Sequence, residues 1–332
     1  MTPKGIIKPA ALIILALATL SILSLCIGTV FIPPDKVAAA IAGKITGLET
    51  EFSTLLISIR LPRLLTALFV GAALAGAGSI FQGLIRNPLG DPYLIGVSSG
   101  AALGMISAQS LSLAGTIAGL PLAAIVGGTA AVIVVYLLSK SGGKVHTTRL
   151  ILAGIVVSSF LSASAMFILS RSDSTTVQGI TFWMMGDMGN NSISEILVLA
   201  PLLFIVIAVV FLLSGKINVI MLGDDLAAQM GIPVESIKIS SLIAASLLTG
   251  LAVAAAGVIG FIGLIVPNLA RYIWGSDFRL NFILSTLAGA LLLLIADMIV
   301  RVVSPVSEIP VGVITALIGA PFFINLLIKA RD

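Results

Sequence analysis

Few side chains in this sequence could do chemistry, and their scarcity narrows the choices. A single histidine, His146, and a single cysteine, Cys26, exclude a multi-histidine metal site and an internal disulfide. There is no Gly-x-Ser-x-Gly, no His-Glu-x-x-His and no phosphate-binding Gly-x-x-x-x-Gly-Lys-Ser/Thr. If ATP drives this protein, another chain must bind it. Three constellations remain. Asp297 lies deep in an apolar run, where a carboxylate is costly and is a functional candidate by default. Arg301 follows four residues later on the same helix face, so a local ion pair is available, and a structural pair is preferred here to a proton site. Arg60 and Arg63 bracket Leu61-Pro62 at the head of another apolar run, either snorkelling to an interface or presented to a partner. Asp224-Asp225 opens a short stretch ending at Gly231, and no third acid or histidine follows at a spacing that would hold a metal.

The elements that must position these groups are membrane spans. Apolar residues make up 58% of the 332, charged residues only 10%, and mean hydropathy is +1.20. Soluble domains carry about 25% charged residues. A chain this poor in charge has lipid as its main solvent. Spans are expected near 9–32, 61–84, 92–108, 113–139, 148–170, 193–213, 236–256, 259–274, 279–303 and 310–330. The first reads as an uncleaved span, because its apolar run is longer than a signal-peptide core. The fold class is therefore an all-α polytopic membrane protein with about ten transmembrane helices, residues 1–332 forming one transmembrane domain.

The 18 lysines and arginines set the orientation. With the N-terminus inside, twelve of them, from Lys4 and Lys8 to Lys329 and Arg331, are cytoplasmic; Lys36, Lys44, Arg60, Arg63, Arg171 and Arg301 are the six outside. Both termini are then cytoplasmic. The net charge of +4 reports this asymmetry and is no sign of nucleic acid. The third and eighth spans are short and rich in Gly or Pro. They lie five spans apart, an odd offset that reverses orientation, so spans 2–5 and 7–10 are expected to be inverted repeats. Gly100-x-x-x-Gly104 and Gly250-x-x-x-Ala254 have the spacing of close helix contacts.

The longest inner polar break runs from Gly215 to Glu235. Within it Asp224–Gly231 reads as a helix too short to span, with Asp224 as its cap and Leu226 and Met230 on one apolar face. That face covers the protein's own bundle or meets a partner; spacing leaves both open.

A set of ordered motifs carries a resemblance. They are Arg60-Leu-Pro-Arg63, then Arg86-Asn-Pro-Leu-Gly-Asp-Pro92, then Leu94-Ile-Gly-Val-Ser-Ser-Gly100. Phe182-Trp-Met-Met-Gly186, Gly260-Phe-Ile-Gly-Leu-Ile-Val-Pro-Asn268 and Glu308-Ile-Pro-Val-Gly312 follow. From about residue 50 onward the chain resembles the FecCD-type permeases of ABC importers for iron chelates, haem and cobalamin.

The resemblance implies ten helices per chain, a homodimer around a central pathway, two cytoplasmic ABC ATPase subunits and an external substrate-binding protein. The chain itself would be a transport subunit, not an enzyme, with no cofactor and no metal site, in the cytoplasmic (inner) membrane. Residues 222–235 would form a coupling loop, with Asp224, Asp225, Leu226, Ala227, Gln229, Met230 and Gly231 at the ATPase. Arg60, Arg63 and Arg301 would meet glutamates of the binding protein through bidentate pairs. Asn87, Thr147 and Thr148 would form an inner gate; from the residues alone Thr147 and Thr148 simply open a helix. Spans five and ten would line the path, with Ser158, Ser159, Ser162 and Ser164 as a weakly polar wall. Ferric siderophore is the first-choice substrate, with haem or cobalamin as alternatives. The rival of another class is an ion-gradient-driven transporter using Asp297.

Overall fold

In hydrocarbon a backbone must satisfy its own hydrogen bonds, so apolar runs of spanning length fold as helices. A computed structural model describes residues 4–28, 30–46, 51–110, 119–141, 144–189, 191–303 and 309–329. Glu308 and Arg331, named above, lie outside them. The helices are α1 (Lys4–Cys26), α2 (Pro34–Thr46), α3 (Leu61–Ile85), α4 (Val97–Ser110), α5 (Gly119–Ser139), α6 (Thr147–Leu169) and α7 (Ser174–Met184). They continue as α8 (Ile193–Ile220), α9 (Asp224–Gln229), α10 (Val234–Ala256), α11 (Ile262–Trp274), α12 (Phe278–Val303) and α13 (Val311–Lys329). A two-residue ribbon, β1 (Lys140–Ser141) with β2 (Lys144–Val145), joins α5 to α6.

Among the described residues seven helices are long and apolar enough to cross a membrane. The other three expected spans are α4, α11 and α13. At 1.5 Å per residue the 14 residues of α4 and 13 of α11 reach only about 20 Å. Irregular backbone completes them: a 3-10 turn at Pro92–Ile95 before α4, and residues 257–261 before α11. Such backbone is tolerated at membrane depth only where protein covers it. Here the two breaks meet, the Tyr93 hydroxyl donating to the Ile259 carbonyl at 3.1 Å.

The packing has the internal repeat that was expected. Exchange α3 with α10, α4 with α11, α5 with α12 and α6 with α13, and the neighbour relations map onto themselves. Thus α3 on α12 matches α10 on α5, and α3 on α11 matches α10 on α4. The central pair, α3 with α10, maps onto itself. These two are the most enclosed spans, whereas α1, α6 and α8 are mostly exposed, as lipid- or partner-facing helices must be. Helix backbones touch where small residues permit it. A Cβ added to Gly71 would stand 2.3 Å from the Gly289 carbonyl oxygen, and one on Gly100 would stand 2.4 Å from that of Gly127. Gly250 also lies against backbone, a Cβ added there standing 3.4 Å from the Ile125 Cα, a looser fit than at Gly71 or Gly100.

Three elements were not expected. Pro62 has no N–H, and the chain before it widens into a π-helical turn, Leu55–Arg60, with the Leu61 N–H donating to the Leu56 carbonyl. Helix α2 lies flat on its buried Val37, Ala40 and Gly43. Helix α7 is capped by Asp173, whose carboxylate accepts from the Thr175 and Thr176 hydroxyls and the Thr176 N–H. Those bonds, the Thr175 hydroxyl first, hold the Asp173 carboxyl well below the usual carboxylate range. Trp183 of α7 is half-buried and packs against the cluster of Ala101, Ala124 and Val253.

Candidate functional site

The candidate residues fall on two opposite faces, separated by the 28 residues of α8. On one face, α9 packs against α8 and α10. Its end is a Schellman motif: the Ile232 N–H donates to the Ala227 carbonyl and the Gly231 N–H to Ala228, with Gly231 at φ +76°. The start differs from expectation. Gly223, at φ +145°, is the cap residue, and Asp224 makes no cap bond. Its carboxylate is instead an anchor, 3.0 Å from Arg86 at the end of α3 and 2.5 Å from Lys238 on α10. So α9 is tied by charge to the two central helices. Arg86 and Lys238 were read only as orientation charges; their position beside helix breaks was the available signal.

The expected contact surface is partly corrected. Ala227 is 0% exposed and packs into the bundle, so it offers nothing to a partner. Leu226 and Met230 stand out, 45% and 63% exposed, and Asp225, Gln229 and Gly231 are exposed beside them. Leu222, just before the helix, extends this ridge.

The gate candidates lie on the same side of α3 and α6 but are not joined by any hydrogen bond among the described residues. Asn87 folds its own loop: its side-chain oxygen accepts from the Leu89 N–H at 2.9 Å and its carbonyl from Gly90. Asn268 on α11 donates to the neighbouring Pro88 carbonyl at 2.7 Å. Thr147 and Thr148 open α6, one half-buried and the other exposed. Of the α6 serines, Ser159 is exposed, Ser162 donates to Ser99, Ser164 donates back to Phe160, and the Ser158 hydroxyl is buried against Gly96.

On the opposite face the three arginines are not a row of free charges. Arg60 is 4% exposed, because the π-helical turn aims it inward. Its guanidinium donates to the carbonyls of Leu25, Cys26 and Val30, satisfying the end of α1. Arg301 donates to the Ser24 carbonyl and hydroxyl and lies 2.8 Å from Asp297 Oδ2, at ion-pair distance without hydrogen-bond alignment. Arg60 and Arg301, two of the three arginines expected at a binding protein, are therefore engaged inside this chain. Arg63 donates its Nε–H to Asp297 Oδ1 at 2.6 Å. Asp297, 0% exposed, thus sits between two guanidiniums: the expected pair with Arg301, and a second partner 234 residues away in sequence that spacing could not reveal.

Arg63 also lines an open cavity of about 580 Å³. Its other walls are Thr175, Gln178 and Phe182 of α7, Asp187, and Pro310 before α13. A second cavity of about 310 Å³ lies behind α7, against Trp183, Met105 and Ala254.

Comparison with known proteins agrees with this architecture. A model of the FecCD transport family matches residues 14–329. An uncharacterized ABC transporter permease protein of Bacillus subtilis, YvrB, is 36% identical over 323 residues, covering 94% of this chain and 91% of its own. The hemin transport system permease protein HmuU of Yersinia pestis is 39% identical over 280 residues, 83% of this chain and 84% of its own. The vitamin B12 import system permease protein BtuC of Klebsiella pneumoniae is 38% identical over 322 residues, 96% and 93%. A solved structure described as an inward-facing metal-chelate type ABC transporter superposes with a TM-score of 0.82 at 30% identity, covering 97% of this chain and 99% of that one. With the family model spanning nearly the whole sequence and relatives this similar from end to end, the chain belongs to the FecCD transport family.

Proposed function

We propose that this protein is the membrane-spanning subunit of an ATP-driven importer that carries a bulky metal chelate, a ferric siderophore in the first instance. The observation that carries the reading is α9: a helix too short to span, fixed by Asp224 to α3 and α10, with Leu226 and Met230 held out from the surface. A short rigid helix with an apolar ridge suits a cleft in a partner, and its charge anchors would pass a push to the central helices. The partner is a cytoplasmic ATPase, so α9 and both termini are cytoplasmic, as the lysine and arginine asymmetry predicts.

Two copies of the chain enclose the path, with the exposed faces of α6 and α13 towards it. Thr147 and Thr148 close its inner end, with the Asn87 loop beside them. An external binding protein delivers cargo to the face that carries Arg63. Haem or cobalamin as cargo requires no change in this scheme. A gradient-driven transporter using Asp297 fits less well, since that carboxylate is held between two arginines and, among the described residues, no other carboxylate pairs with it.

The test is uptake into proteoliposomes holding the chain with its ATPase and binding protein, offered a ferric siderophore, haem and cobalamin. Uptake that requires ATP supports the proposal. Uptake that follows an imposed proton gradient and ignores ATP overturns it.

A further inference from the structure

Three arginines and one aspartate meet near the head of α3, so the cluster holds more positive than negative charge. Arg60 is taken up by backbone carbonyls, and Arg301 by Ser24 and Asp297 with its Nε buried. Arg63 differs from both in facing a cavity. Asp297 takes only its Nε–H, and its two terminal amino groups have no hydrogen-bond partner among the described residues. A guanidinium offers five N–H donors in a planar fork, so four remain. The side chain is 16% exposed and lines the 580 Å³ cavity. It is thus a recessed cation with a fixed edge and an open one, where an anion is worth more than beside a fully exposed charge.

The walls suit a small molecule. The volume lies within the range of small-ligand sites, which combine apolar walls with a few fixed polar groups. Phe182 and Pro310 supply apolar surface, and the Gln178 carboxamide, exposed on α7, has no partner of its own among the described residues. The Asp187 carboxylate is also on the wall; it accepts the Gly189 N–H at 2.7 Å and holds the loop leading to α8. Beside a single carboxylate already in use, the fork of Arg63 faces the cavity as its available charge.

We propose that this cavity is an entry subsite for an anionic, oxygen-rich metal chelate, with Arg63 binding a carboxylate or phenolate oxygen and Asp297 positioning its guanidinium. The inference rests on the chelate-import reading and adds a charge preference to it: an anionic ferric complex binds, an uncharged corrinoid does not.

The test uses the full chain in phosphatidylcholine nanodiscs, without ATPase or binding protein. Equilibrium dialysis measures binding of radiolabelled ferric dicitrate and of cyanocobalamin. Wild type should bind ferric dicitrate in preference, more weakly as salt rises. Arg63→Gln should weaken it about tenfold or more, as expected for loss of a charged hydrogen bond, and Arg63→Lys less. Because Arg63 also pairs with Asp297, Gln178 provides variants at an exposed site: Gln178→Glu should weaken binding and Gln178→Arg strengthen it. Equal binding of both probes, or affinity unmoved across the series, overturns the proposal. So does an Arg63→Gln protein that loses capture of its binding protein yet keeps its chelate affinity, which would make the arginine a docking group. ATP-driven uptake by the complete complex is read separately, so loss of the import reading is distinguishable from loss of the subsite.

Discussion

Replacing Met230 gives the sharpest separation of folding from coupling. The side chain is 63% exposed and its residue closes α9 as the C-cap, so the fold gains little from it. Burying a whole methionine contributes about 1.5–3 kcal/mol, so covering the exposed fraction is worth about 1–2 kcal/mol per site. Met230→Ala should therefore weaken ATPase binding about 5–30-fold. Met230→Asp adds the desolvation of a carboxylate in an apolar cleft, several kcal/mol more, and should weaken it at least a hundredfold. The assay pairs co-purification of the ATPase with ATP-dependent uptake, using the thermal midpoint of the isolated chain as the folding control. Uptake should fall while the midpoint stays within about 1 °C, since surface substitutions rarely exceed 0.5 kcal/mol. Normal coupled transport by Met230→Asp would refute the docking role of α9.

Other expectations follow from contacts on the same map. Gly257, at φ +69°, ends α10 where an added Cβ would lie 1.8 Å from the Trp183 carbonyl oxygen; Gly257→Ala should lower the thermal midpoint by about 5 °C or more, whereas Gly260→Ala, with open space around it, should not. Asp224→Asn removes the charge that Arg86 and Lys238 share, so amide exchange across 224–232 should quicken about threefold or more, a modest effect because the pairs are partly exposed. Burial pushes the Asp91 carboxyl up to about 6, partly offset by the hydrogen bond from the Tyr93 N–H. Its folded value lies above the unfolded value of about 3.9, so the native state binds the extra proton and stability rises as pH falls from 7 towards 5. Asp91→Asn should flatten that part of the melting profile; an unchanged slope would count against it.

Hydropathy located the seven helices of spanning length because each is a long apolar run, and the shorter third and eighth expected spans were visible through their glycines and prolines. The repeat followed from orientation arithmetic, and the exchange symmetry of the packing agrees with it. What was not legible depended on partners distant in sequence. Arg60 reads as an exposed charge until the carbonyls of Leu25, Cys26 and Val30 are brought to it by another helix. Asp224 reads as a cap because caps are local, while Arg86 lies 138 residues away. Ala227 shares a short helix with exposed neighbours, and six residues give too little periodicity to show which side faces inward. Helices α2 and α7 escaped notice because each is shorter than a span and only moderately apolar.

The finishing of α1 bears on how the chain is made. Its last carbonyls are satisfied by Arg60, some 35 residues later, and by Arg301, some 275 later. A helix end without partners is poorly tolerated away from water. Because α1 precedes both partners in the chain, its terminus stays provisional during synthesis until α3 and then α12 enter the bilayer. Truncation before residue 301 would leave the end of α1 only partly closed, so a loss far along the sequence would be felt at α1.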